Sequence, residues 1–237
     1  MKKITLSLLF IIGLIGRSPA QSARMDLITG FYQDEVLQDP QMAICLNDDT
    51  WGNCVTIATI KAAIAAFGSV RHIYNAYEWR GDTLHVTFRD GLQITLSRAD
   101  TAQARTAFGV LQGHAGWVHR DSAIIVYASI CMRAFVHKEQ YPQGSCMHSF
   151  HDGLNFINAG YTTDNAGELL GIKLVRIRLR DLKGSLAAII RSSAHAAFCT
   201  YGWQDIEGTP YKIGALYWMK NPLGWGSVIM EAYVIQN

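Results

Sequence analysis

Apolar positions along the chain fall into blocks with distinct spacings. From Cys54 to Phe67, the residues Val55, Ile57, Ala58, Ile60, Ala62, Ala63, Ile64, Ala65 and Phe67 cover most of a helical circumference, and Lys61 is the charged exception. That pattern predicts a buried helix rather than an amphipathic surface one, and Gly68-Ser69 ends it. The segment "DTLHVTFRDGLQITLS" holds two β-rich runs separated by Arg89-Asp90-Gly91, which reads as a hairpin. A second strongly apolar helix is expected over Asp121 to Val136, with Asp121 or Ser122 as its cap. A third runs from about His148 to Ile157, a short one lies around Asn165 to Leu170, and "LKGSLAAIIRSS" reads as helical. After it the chain turns β-rich in "HAAFCTYGW", "TPYKIGALYWMKN" and "SVIMEAYVI". Helices early and an antiparallel sheet late give an α+β protein.

Before these blocks the chain opens on "MKKITLSLLFIIGLIGRSPAQSA": two lysines, an apolar run from Ile4 to Ile15, and the small residues Ser18-Pro19-Ala20. This is the pattern of a bacterial export signal over residues 1–20. The apolar run is shorter than the roughly 20 residues that cross a bilayer. The expectation is a secreted or periplasmic protein that is not inserted in a membrane once the signal is removed. Residues 21–237 are then long enough for one domain with a substantial core or two closely packed lobes.

At 49% hydrophobic and 17% charged residues the chain is globular rather than disordered. Its net charge of +2 points to neither nucleic acid nor a polyacidic partner. Arg176, Arg178 and Arg180 alternate in "KLVRIRLRDLK", a spacing that fits a solvated strand face better than a phosphate track. His148 and His151 lie three apart with no second ligand pair beside them, so no structural zinc is expected. The five cysteines are Cys45, Cys54, Cys131, Cys146 and Cys199. An odd count in an exported chain leaves at least one thiol unpaired or intermolecular. If that one is Cys54, the other four pair in three ways, with Cys131 to Cys146 preferred and buried free thiols as the alternative.

Cys54 stands where a polar turn becomes the first apolar helix. A helix N-terminus carries roughly half a positive charge, which favours a thiolate and lowers the thiol's pKa, and a nearby imidazolium lowers it further. Gly52-Asn53 lets the backbone turn so that the sulfur emerges at a cleft. In the second half, His195 opens a β-rich run and Asn221 ends another, so an antiparallel hairpin through the two runs would bring them together. In a Cys-His-Asn site the histidine takes the thiol proton and the asparagine amide orients the ring.

These segments, taken in order, resemble a papain-like cysteine peptidase, closest to the calpain catalytic domain. "WGNC" is similar to the Gly-Asp/Asn-Cys segment that opens that family's central helix, and "SAHAAFCTYG" to the small residue and His that start a strand. "KNPLGWG" resembles its Asn-Pro-x-Gly segment, "WVHRDSAIIVYASICMRAF" a later helix, and "NAGYTTDNAGELLGI" a glycine-containing cleft segment. The gaps of 141 residues (195 minus 54) and 26 residues (221 minus 195) also suit the family. The similarity spans roughly Asp48 to Val234.

The resemblance implies a two-lobe fold, with a helical lobe over about residues 40–175 and an antiparallel sheet lobe over about 176–237. It implies an endopeptidase with Cys54 as nucleophile, His195 as general base and acid, and Asn221 as the orienting group. Trp51, Gly160 and Tyr161 would line the substrate cleft, and the partner is a peptide or protein. No cofactor is expected. Calcium enters by family resemblance only, since animal calpains need it, and no acidic loop in this chain suits it. The family places Gln six residues before the cysteine, where its amide helps hold the oxyanion; this chain has Asp48 there, preceded by Asn47. An ionised carboxylate repels a developing oxyanion, and losing one donor typically costs about 10²- to 10³-fold in rate. Asn47 shifted by one residue, or a protonated Asp48, would replace the donor. The alternative is a catalytically impaired papain-fold protein that binds peptide or protein in the cleft. Val55 and Leu223 also stand where the family has Trp.

Overall fold

The computed structural model describes residues 19–33, 53–108, 110–112, 117–141, 144–159, 165–192, 195–214, 218–219 and 227–236. In chain order, α1 (Pro19–Gly30) leads into β1 (Phe31–Gln33), and α2 (Cys54–Phe67) is followed by the single turn α3 (Val70–Ile73). A meander of β2 (Ala76–Arg80), β3 (Thr83–Thr87) and β4 (Gln93–Ser97) comes next, then α4 (Arg98–Ala107), β5 (Val110–Gln112), α5 (Trp117–Val136) and α6 (Phe150–Asn158). The last third holds β6 (Leu174–Arg176), β7 (Ala188–Arg191), β8 (Ala196–Thr200), β9 (Trp203–Ile206), β10 (Thr209–Lys212), β11 (Trp218–Met219), β12 (Ser227–Val228) and β13 (Glu231–Ile235). The fold class is α+β. Among the described residues no helix is long and apolar enough to cross a membrane.

Helix α2 is the centre of the molecule. Residues Val55 to Ala65 are all buried, and Gly68 ends the helix in the left-handed conformation (φ 79°), its N–H donating to Ile64 O. It lies across β8, β7 and β13 of a six-stranded antiparallel sheet of order β10-β9-β8-β7-β13-β6. Side chains alternate between the faces of a strand. Ile189, Ala196 and Phe198 therefore join the helical core, while Ala188, Ile190, Ala197 and Cys199 join a second cluster with Leu182, Ile206 and Ala232. All five residues of β8 are buried because both of its faces are covered. Each large apolar side chain buried in this way contributes about 1.5–3 kcal/mol. That packing fixes the start of α2 against the start of β8.

Several expected elements form differently. "LKGSLAAIIRSS" is a 3-10 turn over Leu179–Gly184 followed by strand β7, not a helix. Strand β7 is hydrogen-bonded by β8 on one side and β13 on the other, and burial on both faces removes the period-2 signal from its sequence. Helix α5 starts at Trp117, so Asp121 and Ser122 are not its caps; Asp121 instead pairs with Arg105 of α4 at 2.8 Å. The helix expected from about His148 is α6, capped by Ser149, whose hydroxyl accepts from the Asp152 N–H while Asp152 accepts in return. The segment Ala166–Leu170 is a 3-10 turn. Strand β2 and helix α4 were not expected. Of the alternating arginines, only Arg176 lies on a strand; Arg178 is held by Asp181 at 2.9 Å beyond its end. Among the described residues β8 is hydrogen-bonded to β7 and β9 and β11 to β12, while Asn221 and the rest of the run expected to form a hairpin with the His195 strand lie outside them.

Helices α5 and α6 cross at Gly153. A Cβ there would lie 2.6 Å from Cys131 O and 3.1 Å from Phe135 Cβ. Gly153→Ala is therefore expected to force the helices apart and lower stability by about 1–3 kcal/mol. A urea midpoint that does not fall would show that the crossing relaxes freely.

Candidate active site

Cys54 is the first residue of α2 and is half-buried. The preceding residue, Asn53, sits at φ −94°, ψ 17°, and its side chain makes no cap to the amides of the first turn. Asn53 is nonetheless anchored, because its Nδ2 donates to Phe108 O at 2.7 Å and to Asn158 Oδ1 at 3.4 Å. Asn158 in turn donates to Ala107 O at 2.7 Å and accepts from the Tyr127 hydroxyl at 3.0 Å. Two asparagine amides thus satisfy the carbonyls that end α4 and fix the residue before the thiol. Asn53 is marked in the sequence by the "WGNC" turn and Asn158 only as the first residue of "NAGYTTDNAGELLGI", and neither motif signals this contact.

His195 stands just before β8 in a tight turn. Ser192 N–H donates to His195 O at 2.9 Å, and the His195 N–H donates to the Ser192 hydroxyl at 3.2 Å. The packing of α2 across β8 brings its imidazole beside Cys54, and the two side chains line one small cavity and shift each other's titration. Burial alone would raise the Cys54 thiol. The side chain of His195 and its charge reverse this, with smaller help from the backbone amides of Ala196 and Val55, and the thiol ends below its ordinary value. For His195 burial acts to lower the ring, but Cys54 outweighs it and Asp205 and Glu207 add to the rise. Both shifts favour a thiolate facing an imidazolium, and the two groups titrate as a pair.

A cavity of about 20 Å³ adjoins the pair, lined by Cys54, Ile57, His195, Phe198, Asp205 and Glu207 among others. Behind it lies an ion pair that sequence reasoning missed. Lys61 Nζ, fully buried, donates to Asp205 Oδ2 at 2.5 Å and to Ile28 O at 3.2 Å, and lies 4.6 Å from the Phe31 ring centroid. The only hint of it was a charge in the middle of an apolar helix.

No protein-family model, curated protein or solved structure matches this chain. The site therefore rests on its own geometry.

Of the residues expected at the site, Cys54 and His195 are brought together. Asn221, Asp48, Asn47, Trp51, Gly160 and Tyr161 lie outside the described residues. The preferred Cys131–Cys146 bridge does not form: Cys131 is a free thiol buried in α5 and pushed well up by burial, whereas Cys146 is disulfide-bonded to a partner outside the described residues. Cys199 is also free and buried, its thiol pushed up to about 12.

Proposed function

We propose that this chain is an exported cysteine endopeptidase of the papain-like, calpain-like type, with a two-lobe fold and a substrate cleft at the junction of α2 and β8. The observation that carries this reading is the Cys54–His195 pair, side by side on one cavity at the start of a buried helix, with each group shifted toward its charged form. The thiolate attacks the scissile carbonyl carbon, and the tetrahedral intermediate collapses as the imidazolium gives its proton to the leaving amine. The resulting thioester is hydrolysed by a water whose proton returns to His195. The backbone N–H of Cys54, at a helix start that the Asn53 side chain does not cap, supports the role of oxyanion donor. Asn221 is the proposed orienting group, Trp51, Gly160 and Tyr161 the proposed cleft residues, and a peptide or protein the substrate.

The lysine-flanked apolar start of the chain supports export. Cleavage after Ala20 would fall in the first turn of α1, upstream of the buried Leu27, Ile28 and Phe31. Asp48, standing where the resemblance calls for Gln, favours a second reading in which the same cleft binds peptide but turns over poorly.

A thiol-directed epoxide distinguishes the two. The mature protein is expected to hydrolyse a denatured protein substrate, and the epoxide to abolish hydrolysis while adding one adduct at Cys54. An adduct at Cys54 with no hydrolysis before treatment would favour the binding reading. No adduct at all would remove the peptidase claim.

A further inference from the structure

We propose that Asp205, clamped by Lys61, is a positioning residue for His195, holding its imidazole toward Cys54. The proposal deepens the peptidase reading and rests on the same Cys54–His195 pair.

Cys54, Ile57 and Lys61 lie along one stripe of α2, at successive turns of the helix. The stripe faces the sheet, where Asp205 of β9 meets it. Removing both an ammonium and a carboxylate from water costs more than their attraction returns in most buried pairs, and well-packed apolar residues often hold a fold as well or better. Here burial moves Lys61 down and Asp205 up, each against the effect of its partner. Packing stability alone therefore gives no reason for a lysine at this point. The neighbouring dyad does.

Asp205 and His195 line the same cavity as Cys54, and its volume of about 20 Å³ is the size of one water site. The carboxylate can thus act on the imidazole directly or through one bridging water. Both carboxylate oxygens have fixed partners, Oδ2 the Lys61 ammonium at 2.5 Å and Oδ1 the Gly208 N–H at 2.9 Å, so the group cannot rotate away. Gly208 belongs to the two-residue turn Glu207-Gly208, with φ 49° and 78°, which joins β9 to β10. The charged groups facing His195 are Cys54 from α2, Asp205 from β9 and Glu207 from that turn, with Lys61 behind Asp205. Glu207 is exposed and screened by solvent, whereas Asp205 is 7% exposed and acts through a poorly polarisable interior.

The test reads the ring of His195 by NMR titration in a Cys54→Ala background, so that the thiolate contributes nothing. Adding Asp205→Asn is expected to lower the His195 pKa by about one unit. Because Asp205→Asn strands a buried ammonium and threatens folding, Cys54→Ala/Lys61→Met/Asp205→Leu provides an apolar replacement in which a smaller fall is still expected. Glu207→Gln in the same background should move the ring less than Asp205→Asn. An unchanged His195 titration in a folded Asp205 variant would overturn the proposal and leave the ion pair a structural tie. The measurement needs no nucleophile, so failure of Cys54 to react would remove the peptidase reading without touching this result, and the converse also holds.

Discussion

At pH 6, His195→Ala is expected to slow alkylation of Cys54 by iodoacetamide at least about tenfold. An ordinary thiol near pKa 8.5 is only about 0.3% ionised at that pH, and lowering a thiol's pKa raises its thiolate fraction there. The loss of thiolate in the variant is partly offset because a more basic thiolate is more nucleophilic. Losing the imidazole leaves burial as the main remaining influence on Cys54, and burial acts upward. The sign follows: the wild-type sulfur stays reactive as pH falls below the free-thiol range, while the variant gains reactivity only as pH rises through and above it. The two rates should therefore converge at alkaline pH. Equal rates at pH 6, with Cys54→Ala as the unlabelled control, would mean that His195 does not activate the sulfur.

The second large effect is on stability. Lys61→Met removes the ammonium but leaves the Asp205 carboxylate in the interior, and breaking a buried pair from one side typically costs about 3–5 kcal/mol. A matching fall in the urea unfolding midpoint is expected. Lys61→Met/Asp205→Leu should recover most of the loss, because no charge is then stranded. Were the double variant no more stable than the single one, the pair would be contributing through packing and through the lysine's bond to Ile28 O rather than through charge balance.

These two experiments fall on opposite sides of what the amino-acid order reveals. Helix α2 was legible to its ends, since a continuous apolar block stops at a glycine that takes φ 79°. The β3–β4 hairpin was legible because two alternating runs flank Asp90-Gly91. Strand β7 was not, because a strand covered on both faces has the same unbroken apolar sequence as a buried helix. Candidate chemistry divides in the same way. Cys54 and His195 could be singled out because each opens an element, and elements start where backbone signals are strong. Asp205 could not, since its importance comes from a partner 144 residues away and from the side of β9 it occupies. Asn158 was equally silent, being an amide inside an ordinary helix until the ends of α4 and the Asn53 turn are packed against it. The disulfide preference failed because Cys131 is fully buried in the core, and a strongly apolar helix does not show which of its positions face inward.

The inaccessible sulfurs of α5 and β8 have a consequence for how the protein meets an oxidant. Peroxide attacks thiolates that solvent can reach, and neither of those two qualifies, while the one at the head of α2 does. Among the described cysteines, thiol oxidation would therefore fall on the sulfur at the head of α2, and conversion there to the sulfenic acid would remove the proposed nucleophile while keeping the architecture intact.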